Sequence, residues 1–264
     1  MESSGSAAAL CTSGILKEYV FITVGNMATQ FKHNYKEFGA EAIRNRVQQM
    51  LDKREQIDVA NAHVKLSYGN RKTGALVPSV SMIPIADCGN CKVCARGCYD
   101  VRNVCFQKNV QWARANNSAI WMDDPERYMS EVRKAVRYLR FFRWHIGADI
   151  KDEDYLRGMV ETAEEIPTCE ELAFTKMYGL VNKWIDEHGP LPKNLHIIFS
   201  DWKGAEFDNP HGLPVSSPIW ADGTKGPHCT DDAFLCPGSC EECAEAWEGC
   251  WAAKSGQTIL FEAH

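Results

Sequence analysis

Ten of the twelve cysteines in this chain of 264 residues fall into two short bunches. Cys88, Cys91, Cys94, Cys98 and Cys105 lie within 18 residues, and Cys229, Cys236, Cys240, Cys243 and Cys250 within 22. Only Cys11 and Cys169 stand alone. Cysteines clustered this densely point to a disulfide framework or to metal thiolates. Disulfide frameworks belong to secreted and usually shorter chains. The one apolar stretch near the start, 7–15, is too short for a secretory signal and its flanks are too acidic. Tight C-x2-C spacing in a chain expected to stay in the cytoplasm therefore points to metal thiolates.

The spacing narrows the metal. Cys88-x2-Cys91-x2-Cys94-x3-Cys98 follows the C-x2-C-x2-C-x3-C run of bacterial ferredoxins, whose thiolates hold iron–sulfur clusters; Tyr99 replaces the proline that follows there. In the second bunch, Cys236-x3-Cys240-x2-Cys243 has the spacing used by radical enzymes that cleave S-adenosylmethionine, and Cys250 supplies a fourth thiolate. Those enzymes carry the motif just after their first strand, whereas here it lies near the C-terminal end. The expected ligands are thus Cys88, Cys91, Cys94 and Cys98 with Cys236, Cys240, Cys243 and Cys250. The expected cofactor is one or two iron–sulfur clusters of the 4Fe–4S type. Zinc is the alternative, since two C-x2-C pairs can close a four-cysteine site. Zinc ribbons, however, separate their pairs by about 15–20 residues, and these cysteines are packed more tightly. Spacing alone does not decide whether Cys105 and Cys229 join the ligands.

Along the chain, apolar periodicity alternates between two and near four. A strand is predicted over 15–26, and a charged helix over 36–55 with Phe38, Ile43, Val47 and Leu51 on one face. A β-like run at 80–85 leads into Cys88. Asp124 and Pro125 open a helix striped by Tyr128, Met129, Val132, Val136 and Leu139. After FFRWHIGAD (141–149) come a helix near 152–164, a strand at 171–176 and a helix ending at His188-Gly189. Strands at 194–200 and 215–220 follow, with a last one in QTILFEAH. Roughly five such strands alternating with helices predict an α/β fold with a mostly parallel sheet. The expectation is an open sheet or partial (β/α) barrel carrying cysteine-rich metal-binding loops. Residues 1–63 are expected to form an extension with a helix, and 64–264 a single α/β domain.

Function in parallel folds gathers at the carboxyl ends of the strands. Cys88, His145, Asp149, Lys176 and Asp201 fall there. If the protein is an enzyme, a redox or radical type is the natural reading, with His145, Asp149, Lys176 and Asp201 as acid–base or substrate-orienting groups. Against this, Asp149 and Asp201 could simply cap the following helices, and His145 could be a core histidine. Arg133, Arg137 and Arg140 read best as a solvated face. No glycine-rich phosphate loop and no G-x-S-x-G elbow is present, which argues against P-loop NTPases and serine hydrolases of that type.

Charge is uneven: residues 1–150 carry 21 Lys and Arg against 14 Asp and Glu, and the remainder 8 against 21. A zinc-stabilised module that engages a host protein or nucleic acid through the basic N-terminal half is therefore a second expectation. A membrane partner is not expected, because no apolar run approaches the roughly 18 residues a spanning helix needs.

The order of these blocks resembles the phage gene product 88 family. The matching pieces are LSYGNRKTG (66–74), SVSMIPIADCGNCKVCARGCYD (79–100), RFFRWHIGADI (140–150), AFTK (173–176), NLHIIFSDW (194–202) and CPGSCEEC with the later CW (236–251). This chain departs from the pattern at Asp100, after Cys-Tyr, and in the longer gap 245–249 before Cys250-Trp251. The resemblance implies a phage or prophage origin, hence the cytoplasm of a bacterial host. It also implies a fold similar to the partial barrel of radical enzymes. It implies no particular reaction.

Overall fold

The computed structural model describes residues 39–69, 73–89, 93–104 and 107–263. Cys11, Cys91, Cys105 and the strand expected over 15–26 lie outside the described residues. The first helix, α1 (Ala40–Arg54), turns Ile43 and Met50 inward. Met50, with Val47 and Leu51, packs on Ile83 and Val110. Short strands β1 (Leu66–Ser67) and β2 (Ser79–Val80) follow. Helices α2 (Tyr99–Val104), α3 (Lys108–Asp123) and α4 (Pro125–Val136) then run in succession. Beyond them strand and helix alternate: β3 (Phe141–Trp144), α5 (Glu153–Glu165), β4 (Glu170–Thr175), α6 (Tyr178–His188) and β5 (Leu195–Ser200). The chain closes with β6 (Val215–Ile219), β7 (Phe234–Leu235), α7 (Cys240–Ala246) and β8 (Thr258–Glu262).

Local chemistry accounts for several boundaries. Asp124 accepts the Arg127 N–H at 2.9 Å and Pro125 occupies the first turn, so α4 begins where the chain has both a cap and a preset φ. Asp152 does the same for α5 through the Tyr155 N–H. Helix α6 stops at Gly189, whose φ of 89° few other residues would adopt. The predicted run 80–85 is a strand only through Val80. Ile85 has φ 69°, a left-handed backbone that a β-branched residue adopts only under constraint, and it ends the extended chain.

The eight described strands form one open sheet in the order β1-β2-β3-β4-β5-β6-β8-β7. Only the β1–β2 pair is antiparallel. From β2 to β6 the spatial order follows the chain order. Parallel crossovers are right-handed, so a sequential order sends every crossover helix to the same face. Strand alternation then divides the side chains. Phe142, Trp144, Ala173, Ile197 and Phe199 join the buried residues of α3 to α6 in one core. Phe141, Leu172, Phe174, Ile198 and Ile259 point to the other face, which no crossover helix covers. The C-terminal cysteine segment covers it: Cys243, Ala244, Cys250 and Trp251 pack there, with Cys236 and Cys240 against them.

Candidate metal centre

The parallel strands all end at one edge of the sheet, and the first thiol group sits in the loop leaving β2. Cys88 Sγ accepts the Ile85 N–H at 3.0 Å, which the left-handed turn at Ile85 makes available. Burial holds the Cys88 thiol well above its ordinary range, and the charges of Asp149, Cys98 and Cys94 push the same way. Cys98 is pushed up to about 11, by burial first and by Cys94; the Val101 N–H, Lys176 and Arg114 oppose that rise. Three thiols, two cations and one carboxylate therefore share a neighbourhood. Arg114 is itself paired with Asp100, and both lie against Gly147, where any side chain would overlap them.

Asp149 is the hinge pin of this edge. Its Oδ1 accepts the Thr175 hydroxyl at 2.6 Å and the Ile150 N–H at 2.7 Å, and its Oδ2 accepts the Lys176 N–H at 3.0 Å. The loop after β3 is thereby tied to the end of β4. Burial raises the carboxyl above its usual range, while Lys176, Thr175 and the backbone donors pull it down. Asp149 is not the helix cap that a plain reading suggests, because Asp152 caps α5.

Backbone strain collects at the same edge. Among the described residues four that are not glycine have positive φ, and three of them, Ile85, His145 and Ala148, lie in the loops after β2 and β3. Such residues persist only where surroundings over-determine them, and they concentrate at functional sites. His145 is also 3% exposed, packs its ring 5.1 Å from that of Tyr155, and has no hydrogen-bond partner on either ring nitrogen among the described residues. Burial, assisted by Arg143, lowers its pKa to about 3, so the imidazole stays neutral.

The second thiol group lies on the sheet face that the helices leave open. Ser239 caps α7 by accepting the Glu242 N–H, and the turn at Gly249 (φ 56°) brings Cys250 back toward Cys243. Burial lifts Cys243 to about 12, with Cys236, Cys240, Glu248 and Glu242 adding to it. Cys250 lies well above its ordinary range from burial, then from Cys236, Cys240 and Cys243, with Arg143 opposing. Each of these sulfurs thus feels the others. Trp251 anchors the segment by donating its indole N–H to the Cys240 carbonyl at 3.0 Å and packing edge-on against Phe141.

Arg143 reaches this group from within the sheet. It is 4% exposed, its Nη1 donates to Cys240 Sγ at 3.2 Å, and its guanidinium lies 4.7 Å over the Phe174 ring. No carboxylate forms an ion pair with it among the described residues. Burial lowers its pKa, but Cys240, Tyr99 and Cys250 more than offset that, so the guanidinium keeps its charge. Tyr99 follows Cys98 directly and donates its hydroxyl to the Ile146 carbonyl just past β3. Strand β3 and the loop after it therefore contact Cys240 through Arg143, and the residue beside Cys98 through Ile146.

The sequence-selected residues divide accordingly. Cys88, Cys94, Cys98, Asp149 and Lys176 come together at the strand-end edge, while Cys236, Cys240, Cys243 and Cys250 gather on the second face. Cys91 lies outside the described residues. Asp201 stands with other partners: its Oδ2 accepts from the Ser217 hydroxyl and the His228 N–H, both at 3.0 Å, and secures the 226–228 turn. It caps no helix. Cys229 keeps to its own turn, with Sγ 3.3 Å from the Thr230 carbonyl. Arg143, Arg114 and Tyr99 escape a reading based on motifs. The signal for Arg143 was nonetheless present, as a lone charge inside the strand FFRW.

Among the described residues no group of three or more His, Cys, Asp or Glu side chains stands in place to hold a metal ion. The chemistry of the donor set suits a thiolate-binding metal: Cys236, Cys240, Cys243 and Cys250 pack on one face of the sheet, and Cys240 accepts from a buried guanidinium that no carboxylate pairs among the described residues. No described helix is long and apolar enough to cross a membrane. A protein-family model described as Gene product 88 matches residues 50–215. No curated protein and no solved structure matches the chain.

Proposed function

The chain belongs to the gene product 88 family, and from that premise we propose that it is an iron–sulfur protein. One ligand set is Cys88, Cys91, Cys94 and Cys98, and the other is Cys236, Cys240, Cys243 and Cys250. The observation that carries this reading is Arg143. A buried guanidinium without a counter-charge is costly, by several kcal/mol even after relaxation. Its nearest acceptor is a cysteine sulfur. As neutral thiols the four cysteines leave that charge uncompensated, whereas as metal-bound thiolates they balance it. Burial and the neighbouring thiols hold Cys243 and Cys250 above their ordinary range, so without metal these two keep their protons.

A bound iron–sulfur cluster supplies one-electron chemistry, with a potential set by its surroundings. The chain's own residues would do the rest. Lys176 and Arg114 offset the negative charge of the first set, Asp149 locks the loop beside Cys88, and Trp251 anchors the segment that carries the second set. The all-cysteine character of the C-terminal set favours a second reading for it alone, because a closed four-cysteine centre is also what structural zinc uses.

Purification without oxygen tests the proposal. The expected protein is brown and carries several irons per chain. Cys91→Ser and Cys240→Ser each remove about half of the iron, as two separate clusters require, and Cys169→Ser removes none. A colourless protein with stoichiometric zinc would overturn the iron–sulfur reading, and loss of all iron in either ligand variant would overturn the two-centre arrangement.

A further inference from the structure

We infer that Arg143 sets the reduction potential of the metal centre built on Cys236, Cys240, Cys243 and Cys250, acting as its fixed buried cation. This inference rests on the iron–sulfur reading above. The side chain leaves β3 on the face that the C-terminal segment covers, and it is held at two points. Its Nη1 donates to Cys240 Sγ at 3.2 Å, and its plane lies over Phe174, with 4.7 Å from guanidinium carbon to ring centre. Its Nε is buried and has no hydrogen-bond partner among the described residues. Strand β3 is itself paired on both sides, with β2 and β4. The charge is therefore held in place and almost fully buried.

A centre ligated by four thiolates is net negative, and reduction adds one more negative charge. A cation fixed beside a ligand sulfur stabilises the reduced form more than the oxidised form. A hydrogen bond to that sulfur acts in the same direction, since it withdraws density from the ligand. The indole of Trp251 holds the Cys240 carbonyl at 3.0 Å, which restrains the backbone that carries the sulfur beside the guanidinium. Arg143 is thus a positioning residue that acts through Cys240. Through Tyr99, which follows Cys98 and feels the same guanidinium, the first centre is expected to respond in the same sense but more weakly.

A one-electron redox titration of the full chain, followed by electron paramagnetic resonance, tests this. The Cys91→Ser background, with the first ligand set broken, assigns the C-terminal signal. Arg143→Met is expected to retain the iron of its parent and to become harder to reduce. At a fixed solution potential its oxidised-to-reduced ratio rises at least about tenfold, which is about 59 mV for one electron. Arg143→Lys, which keeps a charge but not the fork, is expected to fall between the parent and the methionine variant. Where the methionine variant fails to hold the centre, Arg143→Gln is read in its place. Full iron with an unmoved potential in a neutral variant overturns the inference, and so does a lysine variant displaced as far as methionine. Failure of the underlying reading shows separately, as a parent protein that contains no iron.

Discussion

Glu171 is the residue on which the pH dependence of stability turns. It is fully buried near the start of β4, and its Oε2 accepts the Trp144 indole N–H at 2.7 Å. Its Oε1 has no hydrogen-bond partner among the described residues. Burial raises its pKa to about 8, with the Trp144 bond pulling weakly the other way. The folded protein therefore prefers the neutral acid. That preference costs nothing below the unfolded pKa near 4.5, and stability is lost progressively as pH rises from there through 8. At about 1.4 kcal/mol per pKa unit, the loss approaches roughly 3–5 kcal/mol by the top of the window. Glu171→Gln keeps an acceptor for Trp144 and removes the charge. Urea midpoints between pH 5 and 8 are expected to flatten in this variant, and a slope unchanged from wild type would refute the assignment. His145, held neutral with a pKa near 3, contributes the opposite trend, since its share of stability is present above about 6.5 and is lost as pH falls toward 3.

At the scale of elements, two helices do work that their own periodicity hides. Helix α3 is buried on most sides, polar residues included. Asn117 explains why: its amide donates to the Lys65 carbonyl at 2.8 Å and the Ser81 carbonyl at 3.0 Å, while its oxygen accepts the Lys65 N–H at 2.7 Å. The helix thus supplies ladder bonds to strands too short to satisfy themselves, and no apolar stripe announces it. Helix α7 reaches across the molecule instead. Glu241 accepts the N–H groups of Ala75 and Leu76, both at 3.1 Å, and its carboxylate fills the space beside Gly74. Glu241→Ala should cost only about 1–2 kcal/mol globally, as for a pair of charge-assisted hydrogen bonds at the surface. Hydrogen exchange at Ala75 and Leu76 should nevertheless accelerate well beyond the rest of the sheet. Unchanged protection there would mean that the loop holds without the clasp.

At the largest scale, the described residues form a singly wound sheet with crossover helices on one face and a cysteine segment on the other. The family match ends at residue 215, where β6 begins, so α7 and the second thiol group lie beyond it. That segment is attached by the apolar contacts of Trp251 and its neighbours, the Glu241 clasp, the Arg143–Cys240 bond and the β7–β8 pairing, together with the metal proposed for its cysteines. Stripping the metal should therefore loosen this cover before the helix-packed face. Limited proteolysis of chelator-treated protein is expected to cut first within 226–256, with the α4-to-β5 body surviving longer. Cuts distributed evenly along the chain, or a cleavage pattern indifferent to the chelator, would show that metal does not hold the cover in place.

Much of this was written in short-range pattern. The caps at Asp124 and Asp152 and the stop at Gly189 depend on a few neighbouring atoms, as does the alternation of strands β3 to β6, and the sequence by itself determined them. The open, mostly parallel sheet followed from that alternation, although eight strands stand where about five were legible, because two-residue strands carry no period. The two cysteine bunches were equally plain, being a matter of spacing. Only the tertiary structure decided that they occupy different sides of the sheet, one at the strand ends and one on the face without helices. It also decided that Asp149 and Lys176 join the first group while Asp201 serves a turn of its own, and that Arg143 lies against the second. Those relations join residues that stand from 16 to 97 positions apart in the chain, as Asp201 with Ser217 and Arg143 with Cys240 show. They depend on strand order and on which way each side chain alternates, and no local preference encodes either.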